Sequence, residues 1–248
     1  MSLSVTFLGT AASIPTPQRG LPSIAIRREG ELLLLDCGEG TQRQMIRAGV
    51  GFHRKTKVFI THMHGDHLLG LPGLFQTMSL LDRKRKLEIY GPSGIKAFIE
   101  AMRQTVQFKL GFPLEVSDLE EAGLVCEEDE YTVQTSWTDH VVPGLAYALI
   151  ENPRPGRFYP EKARALGVPQ GPLWSRLQQG STVELPNGRV VKPEEVMGPP
   201  RPGRKILYTG DTRPSESVVR LAQNADLLIH DSTFDEELAE KADEDGHS

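Results

Sequence analysis

His62-Met63-His64-Gly65-Asp66-His67 places four potential metal ligands within six residues, directly after the apolar run Val58-Phe59-Ile60. Imidazole nitrogens and carboxylate oxygens are the donors that a borderline-soft divalent ion such as zinc accepts. In extended backbone His62 and His64 point to the same side and can grip one ion. Asp66 and His67 follow the small Gly65, where a tight bend would aim them at a second ion nearby. Only seven histidines occur in 248 residues. Three of them beside one aspartate argue against a loop that is His-rich by chance, and metal binding is expected.

Two residues elsewhere extend the set. His140 lies in Thr138-Asp139-His140-Val141-Val142-Pro143-Gly144, between a strand-like stretch and a turn, and Asp211 ends a strand inside Gly210-Asp211-Thr212. Taken singly, such residues are more often structural, but beside the cluster they complete two sites. One ion takes His62, His64 and His140; the other takes Asp66 and His67; Asp211 can bridge both with its two oxygens. Two metals spaced roughly 3.5–4 Å apart can share a hydroxide and clamp both oxygens of an in-line displacement. Asp66 is then the candidate general base. His247 is the candidate proton donor to a departing alkoxide, if its backbone folds back over the site, although its place beside the last residue predicts a loosely held ring. His230 reads as a partly buried supporting group and His53 as a surface residue. Arg19 and Thr10 are candidate contacts to a scissile phosphate. Trp137 and Trp174 are candidate base-stacking rings, with Trp137 nearer the core.

The elements that must position these side chains follow from apolar patterning. Residues 3–8 and 23–36 read as strands, the second as a hairpin through Glu29-Gly30-Glu31, ending at the glycine-punctuated turn Asp36-Cys37-Gly38-Glu39-Gly40. A helix over 41–49, a strand at 57–60 and a helix over 67–81 interrupted or kinked at Pro72-Gly73 come next. Leu87–Tyr90 is a strand, and Ile95, Phe98, Ile99 and Met102 recur at helical spacing. Short strands are expected at 114–116, 124–126, 131–135 and 145–150, then at 205–208 and 226–230. A helix over 215–224 precedes the last strand, and an acidic helix begins near Phe234. Strands and hairpins followed by alternating helices, in two similar passes, predict an α/β protein with two sheets face to face and helices outside.

Between residues 151 and 203 the texture changes. Ten of the chain's 18 prolines and seven glycines fall there, which predicts little regular structure and an arm projecting from the body without its own core. The charge is divided along the same line. Net charge is −5, but residues 151–205 hold ten Lys/Arg against five Glu, about +5, leaving about −10 on the rest. A basic segment on an acidic body suggests that one part of the molecule grips a polyanion. The length suits a real core. No apolar stretch approaches a membrane span, no signal-peptide pattern opens the sequence, and two cysteines, Cys37 and Cys126, exclude a disulfide framework. Buried thiols in a reducing compartment, by default the cytoplasm, are expected.

At these residues the chain resembles the metallo-β-lactamase superfamily, through His62-x-His64-x-Asp66-His67, His140 and Asp211. It is similar more narrowly to the ribonuclease Z family, through Phe7-Leu8-Gly9-Thr10 with Pro15 and Arg19, Leu34 to Gln42, Ile60 to Leu74, Ile89-Tyr90-Gly91-Pro92, Tyr208 to Pro214 and His230 to Phe234. The match runs over essentially the whole chain. It implies a four-layer αββα sandwich with a protruding flexible arm, one domain over residues 1–248 with an inserted exosite arm at 151–203, and two zinc ions per subunit. It also implies a precursor-tRNA substrate, cleaved after the discriminator nucleotide, and a homodimer in which one subunit presents tRNA to the other's metals. Lys162 to Leu173 resembles the family's exosite, so Lys162, Arg164, Gly171 and Pro172 become candidate substrate-binding residues. Arg and Lys on such an arm can follow a phosphate backbone without reading sequence. The family pattern continues past a Gly-His-Ser element to a further histidine ligand, whereas this sequence stops at Ser248; the resemblance therefore implies a truncated chain with a weakened second site.

Two other functions fit parts of the pattern. A hydrolase of the same fold could act on a small ester, an aryl sulfate or cyclic phosphodiester, but would need no distant basic grip. A catalytically silent tRNA-binding or dimer-forming module would lack cleavage and a full zinc complement.

Overall fold

Both faces of the central strands are apolar because both faces are covered. In the computed structural model, which describes residues 2–248, alternate residues of one strand enter different cores. Leu32 and Leu34 pack with Val58 and Ile60 on one side, while Leu33 and Leu35 pack with Phe59 on the other. This period-two division is what a strand's geometry imposes, and burial on both faces explains the unbroken leucine run.

The first half of the chain builds β1 (Leu3–Gly9), β2 (Ser23–Arg28), β3 (Glu31–Leu35), α1 (Thr41–Arg47), β4 (Lys55–Phe59), α2 (Gly65–Leu68), α3 (Leu71–Leu80), β5 (Leu87–Pro92), α4 (Ile95–Thr105) and β6 (Leu114–Leu119). Its sheet has the order β1-β2-β3-β4-β5-β6, antiparallel over the first three strands and parallel from β3 onward. The second half supplies β7 (Gly123–Glu128), β8 (Tyr131–Trp137) and β9 (Leu145–Glu151). The inserted segment then contributes α5 (Pro160–Ala165), α6 (Pro172–Gln178), β10 (Val183–Glu184), β11 (Val190–Val191) and α7 (Pro193–Val196). After it come β12 (Lys205–Tyr208), α8 (Glu216–Ala222), β13 (Leu227–Ile229) and α9 (Ala239–Asp245). The second sheet has the order β13-β12-β9-β8-β7.

Three apolar layers separate four structural ones. Met45 of α1, Leu74 and Phe75 of α3 and Ile99 of α4 pack on the outer face of the first sheet. Ile24, Ile26, Tyr131, Leu145, Tyr147, Leu149 and Tyr208 fill the space between the sheets. Ala146, Ala148 and Leu207 meet Val218 of α8 on the far side. The architecture is the expected αββα sandwich.

Two expectations are corrected. The helix placed over 67–81 is two helices, and its break lies at Leu69–Gly70, ahead of Pro72. Proline lacks a backbone N–H, so it fits the first turn of the new helix, where that donor has no intrahelical partner. Gly70 marks the break because the chain passes so close to Gly38 that a Cβ would stand 2.0 Å from the Gly38 carbonyl oxygen.

The inserted segment also departs from expectation. Ala163, Val168, Trp174, Leu177, Val183, Leu185, Val191 and Val196 form a buried cluster of their own. Short helices and a two-residue hairpin frame it. The arm is a small folded head with its own core, which composition alone concealed. Among the described residues no helix is long and apolar enough to cross a membrane.

Candidate metal centre

Every candidate ligand of the body follows the C-terminal end of a strand, and those ends meet at one edge of the sandwich. His62, His64, Asp66 and His67 follow β4, His140 follows β8, and Asp211 follows β12. Ligands in α/β sheets gather at such carboxyl ends. The loops come close because glycine lets them: Gly210, at φ 61°, would put a Cβ 2.7 Å from that of Thr61. The Leu145 N–H donates to the Thr61 carbonyl at 2.8 Å, stitching the two sheets beside the cluster.

Three sets of side chains bring ligand atoms within 4.8 Å of one another: His62, His64 and His140; His62, His67 and Asp211; and His140, Asp211 and His247. The first is the trio expected for one ion. In the second set Asp211 Oδ2 lies 3.7 Å from His62 Nε2 and 3.3 Å from His67 Nε2. Asp66 Oδ2 stands 3.5 Å from the same His67 nitrogen. Asp211 thus sits between the two histidine groups, as a bridging carboxylate must.

Supporting hydrogen bonds fix which ring atoms face inward. Asp36, fully buried, accepts the Thr61 N–H at 2.7 Å, the Tyr208 hydroxyl at 2.8 Å and the His67 Nδ1–H at 2.7 Å. The single Thr61 hydroxyl proton also goes to Asp36. Its oxygen is then an acceptor for the His62 Nδ1–H at 3.0 Å, which leaves His62 Nε2 without a proton. His140 Nδ1–H donates to the Gly246 carbonyl at 2.7 Å. The Ser13 N–H donates to Asp66 Oδ2 at 3.1 Å.

His67 Nε2 is buried without a hydrogen-bond partner, an orphan aimed between two carboxylates. Burying a polar atom without compensation costs roughly 1–3 kcal/mol, and a cation resolves it. Electrostatics agree. Burial pushes His62 down to about 2, helped by the charge on His67, and burial with the neighbouring His140 lowers His64. Burial opposes charge on His67 as well, but Asp36 and Asp211 raise it well above the ordinary histidine range. Asp211 in turn is held well below the usual carboxylate range despite its burial, by the His67 imidazole and its charge. Positive charge is therefore favoured at the point where the carboxylates converge, and a divalent ion would take the place of that proton. The donor set and the orphan nitrogen fit metal ions.

The remaining candidates divide. His247 is not loosely held: its Nδ1–H donates to Asp231 Oδ2 at 2.8 Å, and its ring packs 5.1 Å from that of His140. His230 is exposed and donates to the Asp231 carbonyl, against the expectation of a partly buried group. His53 is exposed, as expected. Thr10 and Arg19 line the cleft over the centre, together with Asp66, His67, Asp211, Asp231 and His247, in a volume of about 440 Å³. Trp137 packs against the inter-sheet core. Trp174 is buried in the arm, its Nε1–H donating to Val168, so it is not a free stacking surface.

Lys162, Arg164, Gly171 and Pro172 are exposed on the arm and do not line the cleft. The Lys162 ammonium lies 4.7 Å from the Tyr159 ring centre, and the Arg164 guanidinium 5.3 Å from that of Trp174. Gly171, at φ 135°, takes a backbone that other residues avoid and Pro172 opens α6. Cys37 is fully buried and its thiol is pushed up to about 12 by burial; Cys126 is only partly buried. In the sequence Asp36 reads as a turn residue, and Thr61 and Asp231 lie inside stretches that carry the resemblance; none of the three has a role there at the metal centre.

A ribonuclease Z of Methanosarcina acetivorans is 54% identical over 246 residues, covering 99% of this chain and 80% of its own length. The chain belongs to the ribonuclease Z family. A ribonuclease Z of Natronomonas pharaonis, 50% identical, covers 100% and 80% in the same way. The human tRNase Z, short form, superposes with a TM-score of 0.73 at 31% identity, over 98% of this chain and 83% of that one. A metallo-β-lactamase fold protein of Bacillus subtilis, YhfI, at 17% identity and TM-score 0.63, shares the fold over 99% of this chain and 76% of that one. The family model described as "Anti-Pycsar protein Apyc1" matches residues 3–152. That match stops at the root of the arm, whereas the ribonuclease Z relatives continue through it.

Proposed function

We propose that this chain is the metal-dependent endoribonuclease that removes the 3′ trailer from precursor tRNA, cutting after the discriminator nucleotide. The observation that carries this reading is the convergence of His62, His64, His140, Asp66, His67 and Asp211 at one strand edge in a ribonuclease Z whose basic charge is gathered on a separate arm. His62, His64 and His140 would hold one ion, and Asp66, His67 and Asp211 a second. Zinc suits this nitrogen and oxygen set. Bound there, two such ions supply a nucleophile at neutral pH and offset the charge of the phosphate.

The chain's own residues do the rest. Asp36 and Thr61 orient the inward nitrogens of His67 and His62, so neither ring can turn its donor side to the ion. Asp66 can accept a proton from the attacking oxygen while its Oδ2 is fixed by Ser13. His247, paired with Asp231, would protonate the departing oxygen. Lys162 and Arg164, with the loop at Gly171 and Pro172, would grip the tRNA away from the cut. A cytoplasmic homodimer, with one subunit's arm serving the other's metals, completes the proposal.

The test is incubation of the purified chain and zinc with a 3′-extended tRNA, followed by mapping of both ends. The expected result is a single cut leaving a 3′-hydroxyl on the tRNA, abolished by a chelator. Binding without cleavage at saturating zinc would instead support the silent tRNA-binding module. Hydrolysis of a small phosphodiester with the precursor left intact would support the small-ester enzyme.

A further inference from the structure

The arm joins the body through a neck in which backbone lies against backbone. The Glu151 N–H donates to the Arg204 carbonyl at 2.9 Å, and Arg154 and Arg201 exchange bonds of 2.8 and 2.9 Å. Further out, the Gly198 N–H meets the Arg157 carbonyl and the Tyr159 N–H meets that of Val196, each at 2.8 Å. No side chain fits at the crossings. A Cβ on Gly156 would stand 1.9 Å from the Gly198 carbonyl oxygen, and one on Gly203 1.8 Å from that of Glu151. Backbone pairing therefore braces the stalk along its length.

At its root Glu151, 2% exposed, gathers three guanidinium groups. Oε1 accepts from Arg28 Nε at 3.1 Å, from Arg204 Nη2 at 2.8 Å and from Arg154 Nη2. Oε2 accepts from Arg204 Nε and the Arg204 N–H. Arg154 and Arg204 belong to the two sides of the neck, while Arg28 is on β2 of the other sheet and also donates to Glu130 at 2.7 Å. One carboxylate thus ties both legs of the arm to both sheets of the body. It lines no part of the cleft at the metal centre.

We propose that Glu151 is a positioning residue for RNA cleavage: its clamp on Arg28, Arg154 and Arg204 fixes the direction in which the arm leaves the body. This rests on the reading of the arm as an RNA grip. A loosened neck would spread the arm over many directions. Only the fraction that lines up an RNA with the metals would bind productively, and apparent affinity falls by that fraction. Chemistry on a substrate too small to touch the arm is unaffected.

The experiment measures kcat and KM on a 3′-extended tRNA and on bis(p-nitrophenyl) phosphate, in the zinc-loaded full chain. Glu151→Gln removes the charge that holds three arginines together. Gly156→Ala, neutral and further along the neck, forces its strands apart. For both, KM for the tRNA is expected to rise about tenfold, with tRNA kcat and small-diester turnover within about twofold of wild type. A double variant, Lys162→Ala with Arg164→Ala, is the control for the grip itself.

If the double variant raises tRNA KM and neither neck variant does, the positioning role is overturned and the grip stands. Should the double variant leave tRNA KM unchanged, the grip reading fails and takes the proposal with it. Equal losses on both substrates in Glu151→Gln, with Gly156→Ala like wild type, assign Glu151 to general stability and overturn the proposal. Where Glu151→Gln does not fold, Gly156→Ala decides alone.

Discussion

Body and arm are both folded around apolar clusters, yet they meet opposite demands. The body draws its candidate ligands from strand ends as far apart in sequence as His62 and Asp211, and braces His62 and His67 with the buried Thr61 and Asp36. The arm keeps Lys162 and Arg164 on one short helix, exposed, against the faces of Tyr159 and Trp174. Metal chemistry needs donors fixed to a fraction of an ångström, which a two-sheet sandwich with long-range pairing supplies. Gripping a phosphate backbone needs charge in roughly the right place, and a small head with a modest core suffices. The family comparisons divide along the same line, since one match ends where the arm begins.

The largest test of this division is Asp211→Ala. Losing the carboxylate proposed to bridge the ions should cut tRNA cleavage by roughly 10³-fold or more and lower zinc per chain by elemental analysis, while gel-shift affinity for tRNA stays near wild type. A parallel fall in affinity would mean that the body, too, holds the RNA. Asp36→Asn is expected to cost about 10–100-fold in cleavage or metal affinity, because the amide cannot accept from Thr61, Tyr208 and His67 together. An unchanged zinc affinity would refute the role given to this carboxylate.

Smaller effects probe the arm. Leu177→Ala, in the centre of the arm's core, should cost about 2–5 kcal/mol locally. Limited proteolysis should then nick residues 160–196 while the body melts at its wild-type temperature. A single cooperative unfolding shifted as a whole would show that arm and body are one unit.

The neck adds a dependence on acid. Glu151 is held down to about 2 from 4.5: burial opposes this, and Arg204, with Arg154 next, outweighs it. Its contribution is present above pH ~4.5 and is lost as pH falls toward 2, on the order of 3 kcal/mol in full. Between pH 5 and 2.5 the urea midpoint of the wild type should fall more than that of Glu151→Gln. Parallel curves would show that the carboxylate carries no such linkage.

The sandwich was legible because two-sided burial writes itself as runs such as Leu32–Leu35, and the convergent cluster because three histidines and an aspartate in one hexapeptide have few uses other than metal binding. Residues that hold the ligands were not. Asp36 reaches His67 across 31 positions and Tyr208 across 172, and an aspartate before a glycine turn reads locally as a turn residue. The arm's core escaped for another reason. Its apolar residues are scattered among prolines on helices of four to seven residues, too short for any period to emerge. Pro72 misled for the same local reason, since a proline that starts a helix and one that bends it look alike in sequence.

Asp36, whose backbone sits at φ 57°, takes bonds from β12 through Tyr208 and from the loop after β4 through Thr61. The same carboxylate therefore links the packing of the two sheets to the geometry of the candidate metal centre. A half-folded intermediate holding one finished sheet would have its hexapeptide in hand and yet bind cations feebly, for want of the opposite sheet's hydroxyl and bridging acid. On the proposed metal-binding reading, a divalent ion that binds the finished state alone would stabilise that state by mass action.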